Sequence, residues 1–231
     1  MKRYQRNIGT ITTEEQELLA QKSVCIIGCG GLGGGVIENL ARMGVGELTL
    51  VDGDVFDESN LNRQVLSNEE NPGKSKALEA AEQMSKINSE ICLIAIEELL
   101  TDDNARDLIA GCDLTVDALD NVEARLALEK ACELEGIPLV HGAINGWNGQ
   151  VGVVMPGSRI LSQLYGNGAE TDEKPTNPSF TPAVISALEA AEAIKVLLAR
   201  PEVLKNKLLM VDLLDHEYEI IDFGGGEKCE S

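Results

Sequence analysis

What this chain lacks narrows it first. Its six cysteines, at positions 25, 29, 92, 112, 132 and 229, form no regular framework. That argues against a disulfide-stapled secreted scaffold and for reduced thiols in apolar surroundings. Aromatic residues make up only 3%, and there are just two histidines, His141 and His216. An excess of positive charge is missing too: 39 acidic residues against 19 Lys and Arg leave a formal charge of −20. Such a surface repels phosphate backbones and anionic lipid, so neither nucleic acid nor membrane is expected as the principal partner. No stretch approaches the roughly 18 apolar residues of a membrane span. The opening Met1-Lys2-Arg3-Tyr4-Gln5-Arg6 runs into polar sequence without the apolar centre of a signal peptide. A cytoplasmic protein is the resulting expectation.

What is present is an alternation. With 231 residues, 43% of them hydrophobic, the chain can bury one sizeable core, and one domain over 1–223 with a flexible tail at 224–231 is expected. Thr12 to Glu15 has the pattern of a helix capping box. Apolar runs at 24–27 and 48–51, then 91–96, 114–116 (closing on Asp117) and 139–143, read as strands. Helical spacing falls at 36–43, at 76–87, between a cap at Thr101 and a stop at Gly111, and at 122–135. Strand and helix in turn imply right-handed crossovers and a parallel sheet covered on both faces. Beyond Gly149 the rhythm changes: 150–155 alternates as a half-exposed strand, and 156–181 reads as a long loop. A helix then starts at Thr181-Pro182, and two closing strands, 208–212 and 217–223, form a hairpin. The fold class expected is a Rossmann-like mixed α/β sheet, parallel at first and antiparallel at its C-terminal end.

The chemistry gathers around one turn. Gly28, Gly30 and Gly33 satisfy G-x-G-x-x-G after a strand and before a helix, with Gly31 between them. Glycine there allows a tight turn, close approach of phosphate to backbone N–H groups, and close packing of helix on strand. Asp52 ends the second strand, where an acidic residue reaches ribose hydroxyls. Asn60, Arg63 and Gln64 follow; a planar guanidinium grips phosphate oxygens in pairs. Lys76 puts a cation in the first turn of a helix, against the helix dipole, as expected of a residue that serves a bound anion; Lys74 competes for the role. Asp120-Asn121 follows the strand ending at Asp117, at the carboxyl edge where ligands of open α/β sheets sit. A carboxylate there suits Mg²⁺, which needs only one or two from protein. Asp117 and Asp120 could instead cap a helix. Arg125 reads as the partner of an acidic group, and His141 as structural or pocket-lining.

The order and spacing of these segments resemble the ubiquitin-activating-enzyme-like superfamily, specifically the ThiF/MoeB/HesA adenylyltransferases. The matching stretches are Arg3-Tyr4-Gln5-Arg6-Asn7, the glycine turn, Val51-Asp52-x-Asp54, Ser59 to Gln64, Gly73-Lys74-Ser75-Lys76, and Asp117-x-x-Asp120-Asn121-x-x-x-Arg125. The resemblance implies ATP and Mg²⁺ as cofactors, and as substrate the C-terminal glycine carboxylate of a small ubiquitin-fold sulfur carrier ending in Gly-Gly. It implies that Asp52 is the ribose-binding acid with Asp54 also at the nucleotide, that Asn60, Arg63, Gln64 and Lys76 meet the triphosphate, and that Asp120 holds the metal. It also implies a homodimer in which Arg6 reaches the other subunit's nucleotide. Two departures stand out. Relatives hold a structural zinc with two Cys-x-x-Cys pairs, and this chain has neither, so no structural zinc is expected. Segment 156–181 has no cysteine for covalent catalysis, which leaves thiol chemistry to a separate sulfurtransferase. Siblings that dehydrate a threonylcarbamoyl-adenosine in tRNA, or that activate peptides, share the pattern. An NAD-dependent dehydrogenase would explain the glycine turn and Asp52 but not Arg63, Lys76 and Asp120; a non-catalytic nucleotide-binding protein would have no need of all three.

Overall fold

The structure is a computed structural model and describes residues 2–166 and 176–223. Eight strands form one sheet in the order β3-β2-β1-β4-β5-β6-β7-β8. These are β1 (Ser23–Ile27), β2 (Glu47–Val51), β3 (Cys92–Ile96), β4 (Leu114–Asp117), β5 (Leu139–Asn145), β6 (Asn148–Val154), β7 (Lys207–Asp212) and β8 (Glu217–Asp222). The first five run parallel and the last three are added antiparallel. The helices are α1 (Thr13–Leu19), α2 (Gly31–Met43), α3 (Lys76–Ile87), α4 (Ala105–Ile109), α5 (Val122–Glu135), α6 (Ile160–Tyr165) and α7 (Phe180–Leu197). The mixed α/β architecture expected from the alternation is the one observed. Among the described residues no helix is long and apolar enough to cross a membrane.

Both faces of the sheet are covered, which is why the parallel strands are apolar throughout rather than alternating. Val24 and Ile26 of β1 join the core against α2, α3 and α7, while Cys25 and Ile27 point into the core under α4, α5 and α6. Helix boundaries follow local chemistry. Thr12 and Glu15 make the reciprocal capping box, with bonds of 3.1 and 2.7 Å. Gly44 and Gly136 end α2 and α5 in the left-handed region, at φ 78° and 71°, where a side chain is costly.

Four expectations need correction. Helix α2 begins at Gly31, five residues before the apolar spacing starts, because glycines that scatter the hydrophobic pattern are helical here. The helix expected from Thr101 to Gly111 is only the short α4, whose N-cap position, Asn104, makes no side-chain cap bond; Thr101 and Asn104 instead pair reciprocally in the turn before it, Oγ1 accepting the Asn104 N–H and Asn104 Oδ1 the Thr101 N–H. Strand β6 is not half-exposed: residues 151–154 are buried, since β5 and β7 flank it and α7 packs on it. Segment 156–181 is not all loop; it contains α6, whose N-terminus is held by the buried Glu129 carboxylate through Leu161 N, Ser162 N and Ser162 Oγ. The rest of that expectation, 167–175, and the tail 224–231 lie outside the described residues.

Candidate functional site

The chain leaves β1 on one side of the sheet and β4 on the other, so strand order reverses between them, and a crevice opens at their carboxyl ends. The glycine turn fills the floor of that crevice. Gly28 is at φ +99°, donates its N–H to Val51 O at 2.8 Å, and leaves no room for a Cβ, which would stand 2.6 Å from Ala118 O. A Cβ on Gly33 would collide with the Gly28 carbonyl, lying 2.7 Å from its carbon. These two glycines serve the packing of helix α2 on the strand. Gly30 and Gly31 are different: the nearest atoms to their missing Cβ are Gln64 Nε2 at 3.5 Å and Pro182 Cβ at 3.6 Å. Their openness leaves the start of α2 approachable from the crevice.

Side chains from two further segments meet this floor. Asp52, at the end of β2, accepts the Cys29 N–H on Oδ2 at 2.7 Å and the Asp54 N–H on Oδ1 at 2.8 Å. Each oxygen keeps a lone pair for a ligand hydroxyl. Lys76 is buried at the start of α3, with Nζ 3.0 Å from the exposed Asp54 Oδ2. Burial, with the Asp52 charge behind it, pushes the Cys29 thiol up, and Lys76 pulls the other way; both charges therefore flank the turn. Lys74, the competing cation, is exposed and pairs with Glu79 at 3.5 Å.

Residues 60–64 form the opposite wall. Asn60 is buried and accepts the Asp57 N–H at 3.0 Å, a bond that shapes the 3₁₀ turn at Glu58–Asn60. Arg63 packs its stem against Gly31, with Cγ 4.0 Å from the absent Cβ, and bonds locally through one terminal nitrogen, to Ser59 O at 2.9 Å and Asn62 Oδ1 at 3.0 Å. Gln64 is buried beside Gly30, and its Oε1 has no partner, which marks an amide that the chain itself does not satisfy. A cleft of about 460 Å³ continues from here, lined by Gly31, Arg63, Gln64, Phe180 and Ala183.

At the exit of β4, Asp120 is exposed and makes no hydrogen bond or ion pair among the described residues. Asn121 caps α5 through Ala124 N at 2.8 Å, so its carbonyl oxygen is committed to the helix and neither Asp117 nor Asp120 is the cap. Asp117 is fully buried and takes a 2.6 Å bond from His141 Nδ1, with Arg125 Nε 3.6 Å away. Arg125 is thus the partner of an acid, as expected, and His141 is structural.

The chain does not bring Arg6 to this site. Its segment is anchored at the far end of α2, where Tyr4 lies against Gly44 and receives Asn88 Nδ2 at 2.8 Å. Thirteen helical residues separate that end from the glycine turn by about 20 Å. Sequence reasoning did not foresee the buried pairing of Asp117 with His141, the Tyr165 hydroxyl beside it, or Glu189, a fully buried carboxyl with both oxygens unpartnered. Asp117 and His141 are register partners on adjacent strands, a signal that exists only once strand order is known.

A family model described as the ThiF family matches residues 4–230. The chain is 35% identical to the SAMP-activating enzyme E1 of Haloferax volcanii, over 98% of its own length and 87% of that protein's. It is 35% identical to the molybdopterin-synthase adenylyltransferase of Escherichia coli, covering 100% of this chain and 95% of the relative. To the sulfur carrier protein adenylyltransferase of Thermus thermophilus it is 34% identical, over 98% and 89%. The crystal structure of E. coli MccB with succinimide superposes with a TM-score of 0.85 at 26% identity, over 99% of this chain and 73% of that one.

Proposed function

This chain belongs to the ThiF family and is an adenylyltransferase, and from that premise we propose how its crevice works. It activates the C-terminal glycine carboxylate of a small ubiquitin-like sulfur carrier for thio-cofactor biosynthesis, as the names of its relatives indicate. The carboxylate oxygen forms a bond to the α-phosphorus of ATP, the bond from that phosphorus to the bridging oxygen breaks, and pyrophosphate leaves with its electrons. A carboxylate is already ionised at neutral pH, so no base is needed. What the reaction demands is alignment and charge neutralisation.

The observation that supports the assignment of roles is that Asp52 bonds the turn at Cys29 N and, through Asp54, adjoins Lys76, while Gln64 and Arg63 lie beside the open Gly30 and Gly31. Asp52 receives ribose hydroxyls on its remaining lone pairs, and Asp54, held 3.0 Å from Lys76, presets that lysine. Lys76 and the remaining terminal nitrogen of Arg63 take phosphate oxygens. Gln64, its Nε2 beside Gly30, donates to the same group, and Asn60 fixes the turn that presents them. Asp120 fits Mg²⁺: it is an unpartnered carboxylate at the sheet edge, and the ion needs only one or two from protein. Bound there, Mg²⁺ supplies neutralisation of phosphate charge. Asn121 contributes by capping the helix after Asp120, its side-chain oxygen accepting the Ala124 N–H rather than meeting the nucleotide.

We propose further that residues 1–223 work as one adenylation unit in a cytoplasmic homodimer, with Arg6 of each subunit serving the other's nucleotide. The unit needs no structural zinc and leaves sulfur delivery to a partner sulfurtransferase. Cys132 supports that division: burial pushes its thiol up to about 12, which makes it a poor nucleophile. The test is exchange of labelled pyrophosphate into ATP. Exchange should depend on a carrier ending in Gly-Gly and vanish in Arg63→Ala with the fold intact; unchanged exchange in that variant removes Arg63 from the mechanism.

A further inference from the structure

We propose that the buried Asp117–His141 pair, with Arg125, is the device that positions Asp120 for the metal, and that it ties this loop to Tyr165 on α6. The inference rests on the reading of Asp120 as the metal-holding carboxylate. Asp117 and His141 are register partners on β4 and β5, and neither is exposed. A carboxylate only accepts, so the 2.6 Å contact to Asp117 Oδ2 assigns the proton to His141 Nδ1. The other ring nitrogen is then an acceptor. It meets Gln150 Nε2 at 2.9 Å and the Tyr165 hydroxyl at 3.3 Å, while Gln150 Nε2 also donates to Tyr165 Oη at 2.6 Å.

On its far side Asp117 governs the loop. Its Oδ1 accepts the Leu119 N–H at 3.0 Å, and Arg125 donates to Leu119 O at 2.6 Å. Both backbone groups of Leu119 are therefore held, one from each side. Asn121 is held in turn as the cap of α5. Asp120 sits between two pinned residues, and its own side chain is exposed. A carboxylate presented this way meets a cation without first ordering its loop, which is the benefit of supporting hydrogen bonds behind a ligand. Removing the His141 donor leaves Asp117 buried with one bond fewer, free to rotate off Leu119.

Two neutral variants separate this role from general packing. His141→Asn keeps an N–H near the Nδ1 position, facing Asp117, and drops the contacts to Gln150 and Tyr165. His141→Gln keeps a polar group near Nε2 and drops the Asp117 donor. The readout is binding of Mn²⁺, as a paramagnetic stand-in for Mg²⁺, in the presence of a non-hydrolysable ATP analogue, followed by loss of the free-ion signal, with melting temperatures measured alongside. His141→Gln should weaken Mn²⁺ binding roughly tenfold, and His141→Asn by less than about threefold. Asp120→Asn should abolish the tight ternary complex. Wild-type binding by His141→Gln, or equal loss in both His141 variants, overturns the positioning role while Asp120→Asn still reports on the metal. Wild-type binding by Asp120→Asn instead overturns the reading of Asp120 on which the inference rests.

Discussion

Gly33→Ala isolates what the glycine turn contributes. The new Cβ would lie 2.7 Å from the Gly28 carbonyl carbon and closer still to its oxygen, whereas carbon atoms pack at about 3.5–4.0 Å. The turn must retreat by about an ångström. It has nowhere to go: Gly28 N–H is bonded to Val51 O at 2.8 Å, Ala118 N–H to Ile27 O at 3.0 Å, and Ala118 O already blocks the space beside Gly28. Overpacking of this kind costs about 1–3 kcal/mol. The gain from replacing glycine in a helix offsets about 0.5–1 kcal/mol of that. A net loss of about 1–2 kcal/mol lowers the melting temperature by roughly 2–8 °C for a chain of this size. Displacement of the backbone N–H groups should weaken ATP–Mg²⁺ binding by tenfold or more, since misplacement by about 1 Å costs on the order of a hundredfold in catalysis. Gly31→Ala is the control for stability, because its Cβ meets Pro182 at an ordinary 3.6 Å, though it narrows the face by which the nucleotide is proposed to approach. Thermal melts and calorimetric titration with ATP–Mg²⁺ measure both. Wild-type melting and binding by Gly33→Ala, or equal destabilisation by Gly31→Ala, refutes the reasoning.

Two other outcomes follow from particular side chains. Burial, then the nearby Asp117 charge, pushes the Glu189 carboxyl well up, with Arg125 opposing. A carboxyl raised in the folded state holds its proton there while the unfolded chain loses it. Stability is therefore full below the ordinary carboxylate range and falls by about 1.4 kcal/mol per pH unit as pH rises from that range to the folded-state value. Glu189→Gln, neutral at every pH, should flatten that slope and melt higher at pH 7; chemical denaturation across pH checks it, and an unchanged slope contradicts it. Mixing Arg6→Ala with Arg63→Ala subunits tests the shared site. Half of the dimers are hybrids with one complete crevice, so about a quarter of wild-type exchange should return, and none returns if each crevice uses its own Arg6.

The sequence was most legible where one physical rule acts alone. The capping box at Thr12–Glu15, the helix 122–135 and the closing hairpin were readable because each depends on neighbours within a few positions. The placement of the candidate site was legible for a related reason: a strand, a glycine turn and an acid at the next strand's end come together at the sheet's carboxyl edge, where ligands of open α/β sheets sit. Burial of β6 was not readable, because its flanking strand β7 is supplied by residues some sixty positions later. Glycines 33–35 concealed the first turn of α2 for the opposite reason. Their value is spatial, in letting α2 approach the Gly28 carbonyl, Leu66 and Ser186, and spacing of apolar residues cannot register a missing side chain. The Asp117–His141 pair stayed hidden because it links strands that the sequence separates by 24 positions.

The most direct measurement is the intact mass of the carrier. The protein, ATP–Mg²⁺ and a ubiquitin-fold carrier ending in Gly-Gly are incubated with pyrophosphatase and quenched in acid. Carrier heavier by one adenylate group, absent when Lys76→Ala replaces the wild-type protein, is the predicted result. Carrier of unchanged mass while the nucleotide is bound, or a mass gain undiminished by Lys76→Ala, would contradict the account of a crevice that joins a protein terminus to AMP.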